Sequence, residues 1–185
     1  MQYRSGKAKD NSKLKQALLT EQKYFCAYTE IYCDNHSSTD IEHFNPTLKN
    51  KADDHYENWY AVTHHPNMIK GRTPRWESLQ PVPNGKKLHE LSSDIGYDID
   101  EHTFYSLSDT QTTKNLIELI QINYEPYISD RKKQLDYLIF SKKHWKGEFS
   151  DFLKSSKGNL SFYSMLKEVF NEEIELIKKE GLFPI

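Results

Sequence analysis

Ser38-Thr39-Asp40-Ile41-Glu42-His43-Phe44-Asn45-Pro46, then Tyr56-Glu57-Asn58-Trp59-Tyr60-Ala61-Val62, then His64-His65-Pro66-Asn67-Met68-Ile69-Lys70 are the segments that decide the reading of this chain. A carboxylate directly before a histidine, at the end of a short strand and ahead of a proline-bearing loop, puts a hard oxygen ligand beside a general base. Metal-assisted phosphodiester hydrolysis needs that pair. Nucleophile and phosphate are both anionic, so charge on the phosphate and leaving oxygen must be neutralised while a water is deprotonated. On this reading Glu42 and Asn67 hold a Mg2+-like ion through oxygen atoms, and a neutral His43 takes the proton.

Working outward, Leu14, Ala17 and Leu18 open residues 12–28 at helical spacing, a short amphipathic helix running into the aromatic stretch Tyr24-Phe25-Cys26-Ala27-Tyr28. The zone from about 29 to 103 is polar, turn-rich and rich in histidine, the place for irregular structure and chemistry. Trp76 to Pro83 reads as a loop packed on the domain. From about 108 the pattern turns helical, with one stripe of Leu116, Ile117, Ile120 and Tyr124 and a second of Leu135, Leu138 and Ile139. A third runs through Phe162, Tyr163, Leu166, Val169, Phe170, Ile174 and Ile177, with Ser161 as N-cap and Gly181 as stop. These helices read as a packed scaffold.

A length of 185 residues allows one respectable core and excludes two full-sized enzyme domains. The longest apolar run, Tyr24 to Tyr28, is far below the ~20 residues of a membrane span. The charged N-terminus has no apolar stretch behind it, so a cytoplasmic protein is expected. Twelve Tyr, nine Phe and three Trp exclude wholesale disorder. Lys and Arg against Asp and Glu run 11 to 9 over residues 1–75, 2 to 6 over 76–103 and 12 to 12 over 104–185. Only the first third leans basic, which excludes a coating protein yet permits a nuclease that grips a few phosphates.

The order Glu42-His43, Asn58, Asn67 and Lys70 resembles the HNH endonucleases of the ββα-metal fold. Cys26-Ala27-Tyr28-Thr29-Glu30, Ile41-Glu42-His43-Phe44 and Tyr56-Glu57-Asn58-Trp59 are most similar to the PtuB group, HNH subunits of Septu-type and retron-linked anti-phage systems. The likeness continues weakly into Leu119-Ile120-Gln121-Ile122-Asn123 and Arg131. By position it implies His43 as base, Asn58 as the residue that fixes its loop, Glu42 and Asn67 as metal ligands, and Lys70 as a phosphate contact. Arg72 and Arg75 extend Lys70 into a modest basic patch that is either a phosphate track or solvated surface. Members of the group commonly carry two Cys-x-x-Cys pairs for structural zinc. The matching positions here are Cys26 and Thr29, then Thr63 and Pro66, so zinc is not expected by that scheme. A rescue set of Cys26, Cys33, His64 and His65 is the alternative.

The expected fold is α+β, a ββα-metal (HNH) motif embedded in a mainly helical domain. Its ribbon runs about Ser38–His43 and Trp59–Thr63, with a helix starting near His65. Residues 1–103 would form the nuclease core and 104–185 a helical scaffold able to dock a partner. The expected function is Mg2+- or Mn2+-dependent hydrolysis of DNA in anti-phage defence, in company with an ABC- or SMC-like ATPase subunit. That partner would dock on the stripe from Phe162 to Ile177 and the tail Leu182-Phe183-Pro184-Ile185, unless the stripe simply closes the core. The alternatives are a non-catalytic subunit that binds a partner or nucleic acid, and an RNA-cleaving HNH enzyme.

Overall fold

In the computed structural model, residues 3, 10–33, 38–71, 75–83, 94–108 and 110–181 are described. β1 (Thr39–His43) and β2 (Trp59–Thr63) pair antiparallel, with Asp40 opposite Val62 and His43 opposite Trp59. The ribbon thus lies within one residue of its expected ends. β2 is made of aromatic and β-branched residues that suit a pleated surface, and it is buried from Trp59 to Val62. It passes directly into α2 (His64–Lys70), one residue ahead of the expected start. Pro66 falls in the first turn of α2, where its missing N–H is not needed.

α1 (Ser12–Glu21) buries Leu14, Leu18 and Leu19 and packs on β2. Just beyond it, the Gln22 carboxamide takes over the outer edge of β2. Its Nε2 donates to Ala61 O at 2.7 Å, and its Oε1 accepts from Ala61 N at 2.9 Å. That side chain, with the backbone N–H of Ala27 that also donates to Ala61 O at 3.2 Å, closes an edge otherwise open to pairing.

A second hairpin, β3 (Ile95–Asp98) and β4 (Thr103–Ser106), precedes the helices. The expected division between residues 103 and 104 falls inside β4. Trp76 is not in a loop: it lies in the short helix α3 (Arg75–Ser78) and is buried. α4 (Gln111–Ile120) and α5 (Glu125–His144) follow, then α6 (Phe149–Ser155). The third stripe forms two helices, α7 (Tyr163–Val169) and α8 (Asn171–Lys178), split where Phe170 leaves helical geometry. Gly181, at φ 70°, follows the last turn in the left-handed conformation that stops a helix.

Ser161 does not cap α7. Its Oγ accepts from Tyr32 N at 2.9 Å, and its backbone exchanges two hydrogen bonds with the Gln134 side chain. The start of α7 is held from afar by Glu30, whose carboxylate accepts from Ser164 N and Oγ, each at 2.7 Å. Its carbonyl accepts from Phe162 N, also at 2.7 Å. Arg131, 0% exposed, donates to His102 O and Ile122 O and lies over the Phe104 and Phe162 rings. Asn123 exchanges hydrogen bonds with both backbone groups of Phe104. The segment from Leu119 to Arg131 therefore works as a latch between hairpin and helices. Phe162, Tyr163, Leu166, Phe170, Ile174 and Ile177 all lie in the core, so the stripe expected as a docking surface is covered by the protein's own residues. The tail from Leu182 to Ile185 lies outside the described residues. Among the described residues no helix is long and apolar enough to cross a membrane.

Candidate active site

Successive residues of a strand point to opposite faces. Glu42 and His43 are therefore not side by side in space. Asp40 and Glu42 face α2, while His43 projects from the other side of β1.

His43 is buried at the end of β1, with its Nε2 3.1 Å from Asp54 Oδ2. The alignment falls short of a regular hydrogen bond, and Nε2 has no other partner among the described residues. Asp54 is itself held in place: Asn58 Nδ2 and Trp59 Nε1 donate to its Oδ1 at 3.0 and 2.7 Å. Burial opposes its ionisation, but those two hydrogen bonds hold the carboxyl below its ordinary range. Burial pushes His43 down from its ordinary value, against the upward pull of Asp54. The imidazole is consequently neutral at neutral pH, and with Nε2 turned to a carboxylate, Nδ1 is the nitrogen left to take a proton. The ring of Tyr3 stands edge-on to it at 4.5 Å.

Asn58 fixes the loop that follows His43. Its Oδ1 accepts from Asn45 N at 2.7 Å, and its Nδ2 donates to Asn45 O at 3.2 Å and to Asp54. One amide thus clamps the residue two past His43 and orients the carboxylate that orients His43.

Glu42 and Asn67, the expected metal ligands, do not converge. Lys70 Nζ donates to Glu42 Oε1 and, at 3.0 Å, to His43 O, and the Lys70 side chain is 0% exposed. The same ammonium lies 4.9 Å from the centre of the Trp76 ring. Burial raises the Glu42 carboxyl against the opposing pull of Lys70, and burial lowers the Lys70 ammonium against Glu42. A carboxylate already neutralised by a buried cation is not presented to a metal. Lys70 in turn is not presented to a phosphate, which corrects its expected role: as the last residue of α2 it points inward and pins the helix to β1.

Asn67 meets Asp40 instead. Asn67 Nδ2 and His64 Nδ1 lie 2.7 and 2.8 Å from Asp40 Oδ2. One carboxylate, one imidazole and one amide come together on the accessible rim, a donor set that a divalent ion can use once the amide turns its oxygen inward. Among the described residues no three His, Cys, Asp or Glu side chains form a metal-binding group. Beside this rim runs an open groove of about 500 Å3, lined by Tyr3, Lys15, Thr39, Asp40, Ile41 and Asn67. Lys15 Nζ donates to Thr39 O at 2.7 Å and gives the groove a cation.

Arg75 lies away from this groove, donating to Glu118 O at the end of α4, and Arg72 falls outside the described residues. Of the four zinc-type positions, Cys26 and Thr63 touch: Thr63 N donates to Cys26 Sγ at 3.3 Å. His64 and His65 turn elsewhere, His64 to Asp40 and His65 to Tyr127 OH, so the alternative set with Cys26 and Cys33 does not assemble. No protein-family model, curated protein or solved structure matches the chain.

Asp54, Asp40 and Lys15 are site residues that sequence reasoning missed. Strand parity was the signal for Asp40, since it shares a face with Glu42 two residues on. Nothing local marks Asp54, which lies in the loop between the strands.

Proposed function

We propose that this chain is a nuclease of the HNH type, hydrolysing nucleic-acid phosphodiesters with His43 as general base. The observation that carries the reading is a buried His43 backed by Asp54, in a hairpin that runs directly into a helix. In the reaction His43 Nδ1 accepts a proton from a water whose oxygen attacks phosphorus while the bond from phosphorus to the leaving ester oxygen breaks, that oxygen departing as a hydroxyl once it takes a proton from solvent, and the Asp54 carboxylate stabilises the imidazolium that forms. Asn58 keeps both in register. Asp40, His64 and Asn67 would hold a divalent ion, Mg2+ or Mn2+, that neutralises phosphate charge; they lie on the opposite face of β1 from His43, so a strand seated in the groove lined by Tyr3, Thr39 and Ile41 would have to reach both. Lys15 offers a further positive charge in the groove. DNA is the expected substrate, with RNA the alternative for the same site. Anti-phage defence alongside an ATPase subunit rests on the resemblance alone. Because the stripe from Phe162 to Ile177 is internal, such a partner would have to use exposed apolar residues such as Tyr137 and Phe140 on α5.

A non-catalytic binding subunit is the second reading, favoured by the Glu42 and Lys70 ion pair and by the Tyr3 ring against His43. The deciding experiment incubates purified protein with plasmid DNA, single-stranded DNA and RNA in Mg2+ or Mn2+, with and without chelator. Cleavage that His43→Ala abolishes supports the nuclease. A well-folded wild-type protein that cuts none of these substrates under any condition leaves the binding subunit.

A further inference from the structure

A second concavity, about 690 Å3, lies between β4, α3, α4 and the start of α5, and it shares no residue with the groove beside Asp40. Its volume is in the range of roughly 300–1,000 Å3 typical of small-molecule sites. Phe104, Tyr105 and Tyr124 supply aromatic surface, and Tyr105 and Tyr124 are 47% and 42% exposed. Neither tyrosine swings freely. Tyr124 is stacked on His65 at 4.8 Å. Tyr105 lies flat over Gly96, its partner across the hairpin, where a Cβ would meet the ring carbon Cζ at 2.5 Å.

Beneath the lining two polar atoms are unmet. Arg75 Nε and Ser106 Oγ are buried without a hydrogen-bond partner among the described residues, and both residues line the concavity. Arg75 Nη2 is already committed to Glu118 O, which fixes the guanidinium against the end of α4. Lys114 adds a second cation, while Glu118 and Glu125 add two carboxylates. Planar surface, two cations and two carboxylates match the three parts of one chemical unit. An aromatic heterocycle stacks on tyrosine, ribose or deoxyribose hydroxyls donate to carboxylates, and a phosphate accepts from arginine and lysine.

We infer that this concavity is a nucleotide-binding site, separate from His43, which takes either a free nucleotide or one unstacked nucleotide of a strand. The inference does not require the chain to be a hydrolase. Its test is binding measured in chelator, where cleavage is silent, with the full chain, ATP as free probe and single-stranded DNA and RNA 10-mers as strand probes. Calorimetry or anisotropy reads affinity for wild type, Tyr105→Ala and Tyr124→Ala. A melting curve checks that both variants are folded.

Each variant should weaken binding by about tenfold, in keeping with the loss of one stacked ring. Binding of ATP identifies a free nucleotide as occupant, and binding of the 10-mers without ATP identifies a strand. Failure of all three probes to bind wild type overturns the inference, as does binding that both folded variants keep within about twofold. Binding read in chelator does not depend on cleavage, so a failed nuclease reading and a failed nucleotide site give different results.

Discussion

Asp54 Oδ2 lies 3.1 Å from His43 Nε2, although the two residues are joined only by the loop that links β1 to β2. Trp59, opposite His43 in the hairpin, donates to the other Asp54 oxygen at 2.7 Å. The loop is thus folded back so that one carboxylate spans both strands at the point where His43 emerges.

If that carboxylate orients and charges the base, its removal has two separable effects. Asp54→Asn should lower cleavage by roughly 10- to 100-fold, and His43→Ala by at least about 100-fold, the usual worth of a general base. The pH profile tells positioning from mere folding. A base works deprotonated, so activity should rise through a His43 pKa below its ordinary value and be flat by neutrality. Asp54 pulls that pKa upward, so Asp54→Asn should move the acidic limb to still lower pH while the plateau falls. A variant that loses rate with no movement of the limb would show that Asp54 does not act through His43.

The Glu42 and Lys70 pair makes a sharper distinction between ligand and structural pin. Lys70→Met leaves a buried carboxylate without its cation and should cost about 3–5 kcal/mol in denaturant unfolding, whereas Glu42→Gln with Lys70→Met together should recover much of that loss. Metal dependence should follow Asp40 and Asn67: Asp40→Ala should raise the Mg2+ or Mn2+ requirement of cleavage, and Glu42→Gln should leave it unchanged. Loss of metal response on Glu42→Gln in a folded protein would return Glu42 to the ligand set.

How far the sequence carried differs from residue to residue, for physical reasons. The hairpin and α2 were legible because a short strand, a proline loop, a β-branched aromatic strand and a histidine-led helix are local patterns. Even the inward turn of Lys70 was within reach. Asp40 and Glu42, two apart on a strand, share a face; Asn67 and Lys70, three apart on a helix, share another, and each pair makes one rung between them. A reading by adjacency set Glu42 beside His43 where parity sets them apart. Asp54 was not legible, because a loop's closure depends on contacts distant in sequence. Nor was the fate of the stripe from Phe162 to Ile177, which is apolar whether it is covered or exposed. What covers and anchors it includes Glu30, whose carboxylate reaches across the chain to Ser164.

Zinc content follows from Cys26. Its thiol accepts from Thr63 N, and Thr29 and Pro66 at the matching positions are buried and carry no ligand atom of the thiolate or imidazole kind. Purified protein should hold well under one zinc per chain, and chelation should leave its melting temperature unchanged. Stoichiometric zinc by elemental analysis, lost together with the fold on chelation, would reverse this.

Glu30 should make stability fall with rising pH over a defined window. Burial raises its carboxyl to about 7, against the opposing hydrogen bonds from Ser164 and the charge of Arg131. In the unfolded chain the same group titrates near its ordinary carboxylate value, so between the two the folded protein holds a proton that the unfolded chain has released. The stabilisation is complete below the unfolded pKa and is lost as pH rises through about 7. The shift corresponds to roughly 3 kcal/mol at most, at about 1.4 kcal/mol per pKa unit. Denaturant unfolding from pH 4.5 to 8.5 should therefore show a falling limb that levels off above about pH 7, while Glu30→Gln, uncharged throughout, should flatten it and be the more stable protein on the alkaline side. Because Glu30 is far from His43 along the chain and ties down α7, the activity limb on the acidic side should not move in that variant. A Glu30→Gln protein with the wild-type stability profile would mean that the carboxyl is ionised in the fold across the whole range.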